Sequence, residues 1–127
     1  MKARGTDFVL YEVSDMDRSI AFYRDVLGLE LETLIDEIQW AEFKAEPTTL
    51  ALFDPSGYRS EAPEPRTGGA TIYLAVEDLT AAMTDLKEQG VPVVFGPMES
   101  PVCWMSVILD PDGNAVGLHQ RKDGSFG

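Results

Sequence analysis

A chain of 127 residues fits a single domain and is long enough to bury a core without disulfide or metal staples. Hydrophobic residues at 44% and charged residues at 25% make an ordinary globular balance that argues against disorder. Ten basic against 22 acidic residues leave a net charge of −12, which argues against nucleic acid, whose phosphates such a surface repels, and favours neutral or cationic small molecules.

Lys2 and Arg4 are followed by no apolar stretch, and nowhere do the roughly 18 apolar residues of a membrane span run together. The expectation is a cytoplasmic protein with no membrane partner. Phe8 to Val13 (FVLYEV) reads as a strand buried on both faces, since Glu12 alone is charged. Ser14 or Asp15 then caps a helix by accepting from its free N–H groups. Met16, Ile20, Tyr23 and Leu27 recur at helical spacing and Gly28 ends the helix. Leu29 to Ile35, Ile38 to Lys44 and Thr48 to Phe53 read as strands, with turns at Asp36-Glu37 and Glu46-Pro47. Asp54 to Gly69, rich in Pro and Gly and without periodicity, separates this part from the next.

The second part repeats the plan. Ala70 to Val76 is a strand, Leu79 to Gln89 a helix with Leu79, Ala82, Met83 and Leu86 on one face, and Gly90 its stop. Val91 to Phe95, Cys103 to Leu109 and Asn114 to His119 are strands, the last two joined by the turn Asp110-Pro111-Asp112-Gly113. Val13 and Val76, Asp15 and Asp78, Met16 and Leu79, and Ile20 and Met83 share one offset of 63, the mark of an internal repeat. Asp54-Pro55-Ser56-Gly57 resembles the Asp110 turn at an offset of 56, outside that frame, and is read as coincident turn chemistry. Cys103 is the only cysteine, so no intrachain disulfide forms. A catalytic thiol would need His119, the sole histidine, beside it, and a buried inert side chain is the plainer reading.

The run Val-Ser-Asp-Met-Asp-Arg-Ser-Ile-Ala-Phe-Tyr-Arg-Asp-Val-Leu-Gly-Leu (Val13 to Leu29), with Asp-Pro-Asp-Gly-Asn (Asp110 to Asn114) before a last strand, resembles the vicinal oxygen chelate superfamily of glyoxalases, extradiol dioxygenases and bleomycin-resistance proteins. The resemblance covers almost the whole chain. It implies an α+β fold in which two tandem βαβββ modules form a curved mixed sheet around a central cavity, with helices outside. The chain is then one domain, residues 1–127, with module 1 at 7–54, a linker at 55–69 and module 2 at 70–121. It also implies a divalent metal in the enzymes, held from four positions that fall here on Phe8, Ala51, Thr71 and Gly117. Phe, Ala and Gly carry no donor and a neutral Thr hydroxyl is a poor ligand, so no metal and no cofactor is expected. A shift of two residues keeps the same sheet face and brings Leu10, Phe53, Tyr73 and His119 forward, of which His119 alone is a competent ligand, with Glu12 and Glu42 as scattered carboxylates.

What remains is a lining. The period of two groups Phe8, Leu10 and Glu12, then Thr71, Tyr73 and Ala75, then Ala115, Gly117 and His119, the final strand leaving room with small residues. Trp40 and Trp104, each on the third strand of its module, offer surface for stacking on a planar ligand, and Glu12, costly amid apolar residues, is the foremost polar contact. The expected ligand-binding set is therefore Phe8, Leu10, Glu12, Trp40, Ala51, Thr71, Tyr73, Trp104, Gly117 and His119. The favoured reading is a small-molecule-binding protein of the bleomycin-resistance type, taking a cationic or aromatic organic ligand and forming a homodimer. A metal-dependent lyase, isomerase or dioxygenase and a non-catalytic dimeric interaction module are the alternatives.

Overall fold

The computed structural model describes residues 1–2, 4–57 and 69–126, so most of the expected linker at 55–69 lies outside the described residues. The chain divides into two compact units, Met1–Pro65 and Arg66–Gly127. Each contains a four-stranded mixed sheet with one helical segment. In the first unit β1 (Val9–Glu12), β2 (Glu30–Ile35), β3 (Trp40–Ala45) and β4 (Thr48–Phe53) stand in the order β1-β4-β3-β2, with β1 parallel to β4 and the other pairs antiparallel. In the second, β5 (Ile72–Ala75), β6 (Val93–Glu99), β7 (Cys103–Leu109) and β8 (Ala115–Arg121) stand in the order β5-β8-β7-β6 with the same parallel and antiparallel pattern. The two βαβββ modules therefore share one topology.

The 63-residue repeat reappears as capping chemistry. Asp15 accepts from the Arg18 backbone N–H at 3.1 Å and Asp78 from that of Ala81 at 3.0 Å, so each helix starts on the same side-chain bond. The second helix, α2 (Leu79–Glu88), buries Leu79, Met83 and Leu86, and Gly90 follows at φ +73°. The first departs from expectation. Its α-helical part, α1, covers only Met16–Ala21 and passes into a π-helical turn over Phe22–Val26, closed by Leu27 N–H donating to the Phe22 carbonyl at 3.0 Å. The extra residue in that turn lets the adjacent Phe22 and Tyr23 both be buried, with the Tyr23 ring 5.9 Å from Phe43 on the sheet.

Each helical segment covers one face of its sheet. Tyr11, Val13, Ala41, Phe43, Leu50 and Leu52 are buried in the first unit, and Ile108, Val116 and Leu118 in the second. The expectation that the first strand is buried on both faces is corrected here: Phe8 is 46% and Leu10 40% exposed, because no helix lies over their side of the sheet. β3 starts at Trp40 rather than Ile38, because Asp36–Ile38 close into a 3₁₀ turn and Gln39 takes a left-handed conformation at φ 54°. β6 runs past its expected end at Phe95 to Glu99. Register shifts between Phe95 and Met98, around Gly96 at φ +80°, carry it through the Gly-Pro pair as a bulged edge strand. The Asp54 and Asp110 turns make the same Asx bond, to Ser56 N–H at 3.0 Å and Asp112 N–H at 2.9 Å. One follows the last strand of its module and the other precedes it, so they hold unequal places in the repeat.

Candidate functional site

The uncovered face of the first sheet gathers five of the expected residues. Register places Leu10 beside Ala51 and Ala51 beside Glu42, and in the next row Glu12 beside Phe53 and Phe53 beside Trp40. Paired residues in neighbouring strands point to one side, so Leu10, Glu12, Trp40, Glu42, Ala51 and Phe53 share this face, and Phe8 joins it by the period of two. The rings meet. Phe8 stands edge-on to Trp40 at 5.5 Å between centroids and Trp40 lies 6.0 Å from Phe53. Phe8 leads into β1 and Trp40 belongs to β3, so their contact bridges over β4, where the small, fully buried Ala51 leaves the space. The Trp40 indole N–H donates to Glu42 Oε1 at 2.9 Å, tying ring and carboxylate together on the same face.

The second sheet has its own uncovered face, with Tyr73 beside Gly117 and Gly117 beside Val107, and with Ala75, His119 and Met105 in the next row. Thr71 precedes β5 on the same side by the period of two. Gly117 does not leave open room, as the sequence suggested. A Cβ there would lie 2.5 Å from Tyr73 Cγ, and closer still to Cδ1 and Cε1, so the tyrosine ring lies flat on the glycine and fills the space itself.

Trp104 is not with this group. It pairs with Gln120, whose side chain accepts from the Leu79 N–H at the start of α2 at 2.8 Å, so Trp104 sits on the helix side of the sheet. There Lys122 Nζ stands 4.9 Å from the centre of its ring and 2.5 Å from Glu99 Oε2. The hydrogen bond from the Lys122 ammonium, ahead of its charge, holds the Glu99 carboxyl below the usual glutamate range. The two tryptophans thus occupy unlike places in the repeat, and the register gives Trp40 the place that Met105 has in the second unit.

A divalent cation does not fit the four positions the resemblance implies. Phe8 offers a ring packed on Trp40, Ala51 a buried methyl, and Gly117 a backbone under Tyr73, which leaves the single hydroxyl of Thr71. Among the described residues no group of three or more His, Cys, Asp and Glu is placed to hold a metal ion. His119 stands between Ala75 and Met105 without a carboxylate in its row. Cys103 is buried, and its sulfur lies 3.1 Å from the Ser100 hydroxyl, an uncharged partner rather than a base. Phe53 and Glu42 belong to the aromatic face although neither stood in the expected set. The signal was present, since each lies two residues from a residue that did, Ala51 and Trp40. A separate polar depression of about 480 Å³ lies at the start of α1, lined by Ser14, Asp15, Met16, Asp17, Asp36, Gln39 and Asp54.

Comparison with known proteins agrees with this architecture. The sequence model of the Glyoxalase/Bleomycin resistance protein/Dioxygenase superfamily matches residues 5–118. TnmS3, an antibiotic binding protein from Streptomyces sp. CB03234, superposes with a TM-score of 0.74 at 27% identity, over 96% of this chain and 99% of that one. A lactoylglutathione lyase from Agrobacterium tumefaciens gives a TM-score of 0.71 at 27% identity, over 99% and 100%. Virulence protein STM3117 of Salmonella typhimurium is 27% identical over 119 residues, 90% of this chain and 82% of that protein. Among the described residues no helix is long and apolar enough to cross a membrane.

Proposed function

The chain belongs to the Glyoxalase/Bleomycin resistance protein/Dioxygenase superfamily, and from that membership we propose that it is a small-molecule-binding protein that works without the superfamily's metal. The observation that carries this is the cluster of Phe8, Trp40 and Phe53 on a sheet face that no helix covers, floored by Ala51 and bordered by Glu12 and Glu42. Aromatic side chains held by one another are rigid, so a planar organic molecule stacks on them at little entropic cost. The likeness to an antibiotic binding protein at 27% identity supports the reading. Tyr73, over Gly117, gives the second unit a smaller aromatic surface of the same kind. The protein acts in the cytoplasm as a homodimer, since exposed Val94, Phe95 and Met98 on the edge strand β6 leave apolar surface for a second copy to cover.

Calorimetric titration of the whole protein with bleomycin and with planar organic cations tests the proposal. Saturable binding at micromolar concentration, weakened about tenfold or more by Trp40→Ala, is the expected result. No heat and no change in tryptophan emission up to about 1 mM ligand refutes it.

The likeness to lactoylglutathione lyases, also 27% identical in the Agrobacterium structure, favours a second reading as a lyase. It requires donors other than those at the four expected positions. Elemental analysis of the purified protein, followed by assay with the glutathione hemithioacetal of methylglyoxal, separates the two. One tightly held divalent ion per chain with turnover establishes the lyase.

A further inference from the structure

Resting on that binding reading, we propose that Glu42 is the residue that sets ligand specificity, selecting a planar molecule that carries a positive charge, and that Trp40 both stacks on this molecule and holds the carboxylate in place. Glu42 is half-buried on the aromatic face, between Thr33 on β2 and Ala51 on β4, neither of which bears charge. Its partner among the described residues is the Trp40 indole, whose N–H reaches Oε1 at 2.9 Å. A neutral N–H satisfies one acceptor position of a carboxylate and leaves its charge uncompensated. The cation two residues along the same face, Lys44, is drawn away to Glu46 at 3.3 Å. Among the described residues a half-buried carboxylate beside three aromatic rings is thus left without a counter-charge, an arrangement that favours the arrival of a cation.

The bond to Glu42 does a second thing. It turns the edge of the indole that carries N–H toward the carboxylate, while Phe8 meets the same ring at an interplanar angle of 89°. The indole orientation is fixed from two sides. A flat cation resting on that ring gains stacking, attraction to the ring face, and a charge-assisted hydrogen bond to Glu42 from one nitrogen. Glu12, in the next row beside Phe53, adds negative potential to the same face. The ligand class is a protonated aromatic amine or amidine, or an aliphatic ammonium on a planar core.

The test compares 9-aminoacridine, cationic at pH 7.5, with acridine, neutral at that pH, as probes of the whole protein by calorimetry. Wild type is expected to bind the cation at least about tenfold more tightly. Glu42→Gln, which keeps an acceptor for the indole but removes the charge, should abolish that preference while changing acridine binding by less than about twofold. Trp40→Phe, which keeps a ring but loses the N–H, should weaken both probes and the cation more. Glu37→Gln, on the exposed 3₁₀ turn between β2 and β3, controls for the general acidic field and should leave the preference intact. Equal loss of both probes in Glu42→Gln, or an equal effect of Glu37→Gln, overturns the assignment while binding itself stands. Failure of wild type to bind either probe overturns both the assignment and the binding reading. Should Glu42→Gln not fold, Glu42→Asp decides: it keeps the charge but withdraws it by one methylene, so the cation's advantage over acridine must shrink by about threefold or more, and an unaltered advantage refutes the proposal.

Discussion

Replacing Gly117 with alanine tests whether Tyr73 fills the uncovered face of the second sheet. The new Cβ would stand 2.5 Å from Tyr73 Cγ, against the roughly 3.5 Å of ordinary carbon–carbon contact, so the ring must retreat by about 1 Å or more. Rotation about χ2 does not move Cγ, so the retreat has to come from χ1 and lifts the ring off the sheet. Tyr73 is 47% exposed, which leaves about half of an aromatic burial of ~1.5–3 kcal/mol at stake, or about 1–1.5 kcal/mol. Alanine in place of glycine within a strand returns about 0.5–1 kcal/mol by restricting the unfolded chain. Gly117→Ala should therefore destabilise by only about 0.5 kcal/mol in the wild-type background, yet stabilise by about 0.5–1 kcal/mol when Tyr73 is already alanine. Urea unfolding of the four proteins measures the coupling, expected at about 1–1.5 kcal/mol. Additivity within about 0.3 kcal/mol would show that the ring does not rest on Gly117, and the reasoning would fail.

Gly96→Ala should cost more, about 2–4 kcal/mol, and lower the melting temperature by several degrees. Its Cβ would meet the Met105 carbonyl oxygen at 2.7 Å, and the backbone there holds φ +80°. Asp15→Ala and Asp78→Ala should each cost about 1 kcal/mol in urea, since each removes the capping bond of its helix, from the Arg18 N–H and the Ala81 N–H respectively. The Lys122–Glu99 pair sets a pH dependence. Its carboxyl titrates below the ordinary range in the folded state, so its contribution is fully present above the ordinary glutamate pKa and is lost as pH falls through the folded value. The gap in urea midpoint between wild type and Lys122→Met should accordingly narrow as pH falls below the ordinary glutamate pKa, and a gap that does not narrow with acid would assign the effect of Lys122 to its contact with the Trp104 ring.

Most of the scaffold was legible because local chemistry and hydrophobic period agree there. Thr48–Phe53 and Cys103–Leu109 have the bounds read from sequence, and of the two cap candidates Ser14 and Asp15 it is Asp15 that caps, matched 63 residues on by Asp78. The π turn was not legible: a stripe at Met16, Ile20, Tyr23 and Leu27 suits an α-helix, and only the adjacent Phe22-Tyr23 pair asks for two buried neighbours. β6 ran on through a Gly-Pro pair that ordinarily stops a strand, because a bulged edge tolerates it. For the site, the period of two sufficed within single strands, as for Phe8, Leu10 and Glu12. It failed across strands, where register decides. Trp104 looked like the counterpart of Trp40 by its place in the chain, yet cross-strand pairing puts it on the opposite face of its sheet.

That mismatch separates what the two modules share from what they do not. The positions the halves hold in common are those that make a module fold: the capping aspartates, the glycines at φ +74° and +73° after each helical segment, and the parallel pairing of first and last strands. The uncovered faces share nothing comparable. One row reads Leu10, Ala51, Glu42 in the first sheet and Tyr73, Gly117, Val107 in the second; the next reads Glu12, Phe53, Trp40 against Ala75, His119, Met105. Neither face is covered by a helix, and apolar surface left open in this way marks a place where something else can dock. The first concentrates three rings and two carboxylates, and the second lays one ring over a glycine. Carboxylates standing among aromatic rings are thus present on the first sheet and absent from the matching rows of the second, which is why the binding proposal is placed on the first sheet alone.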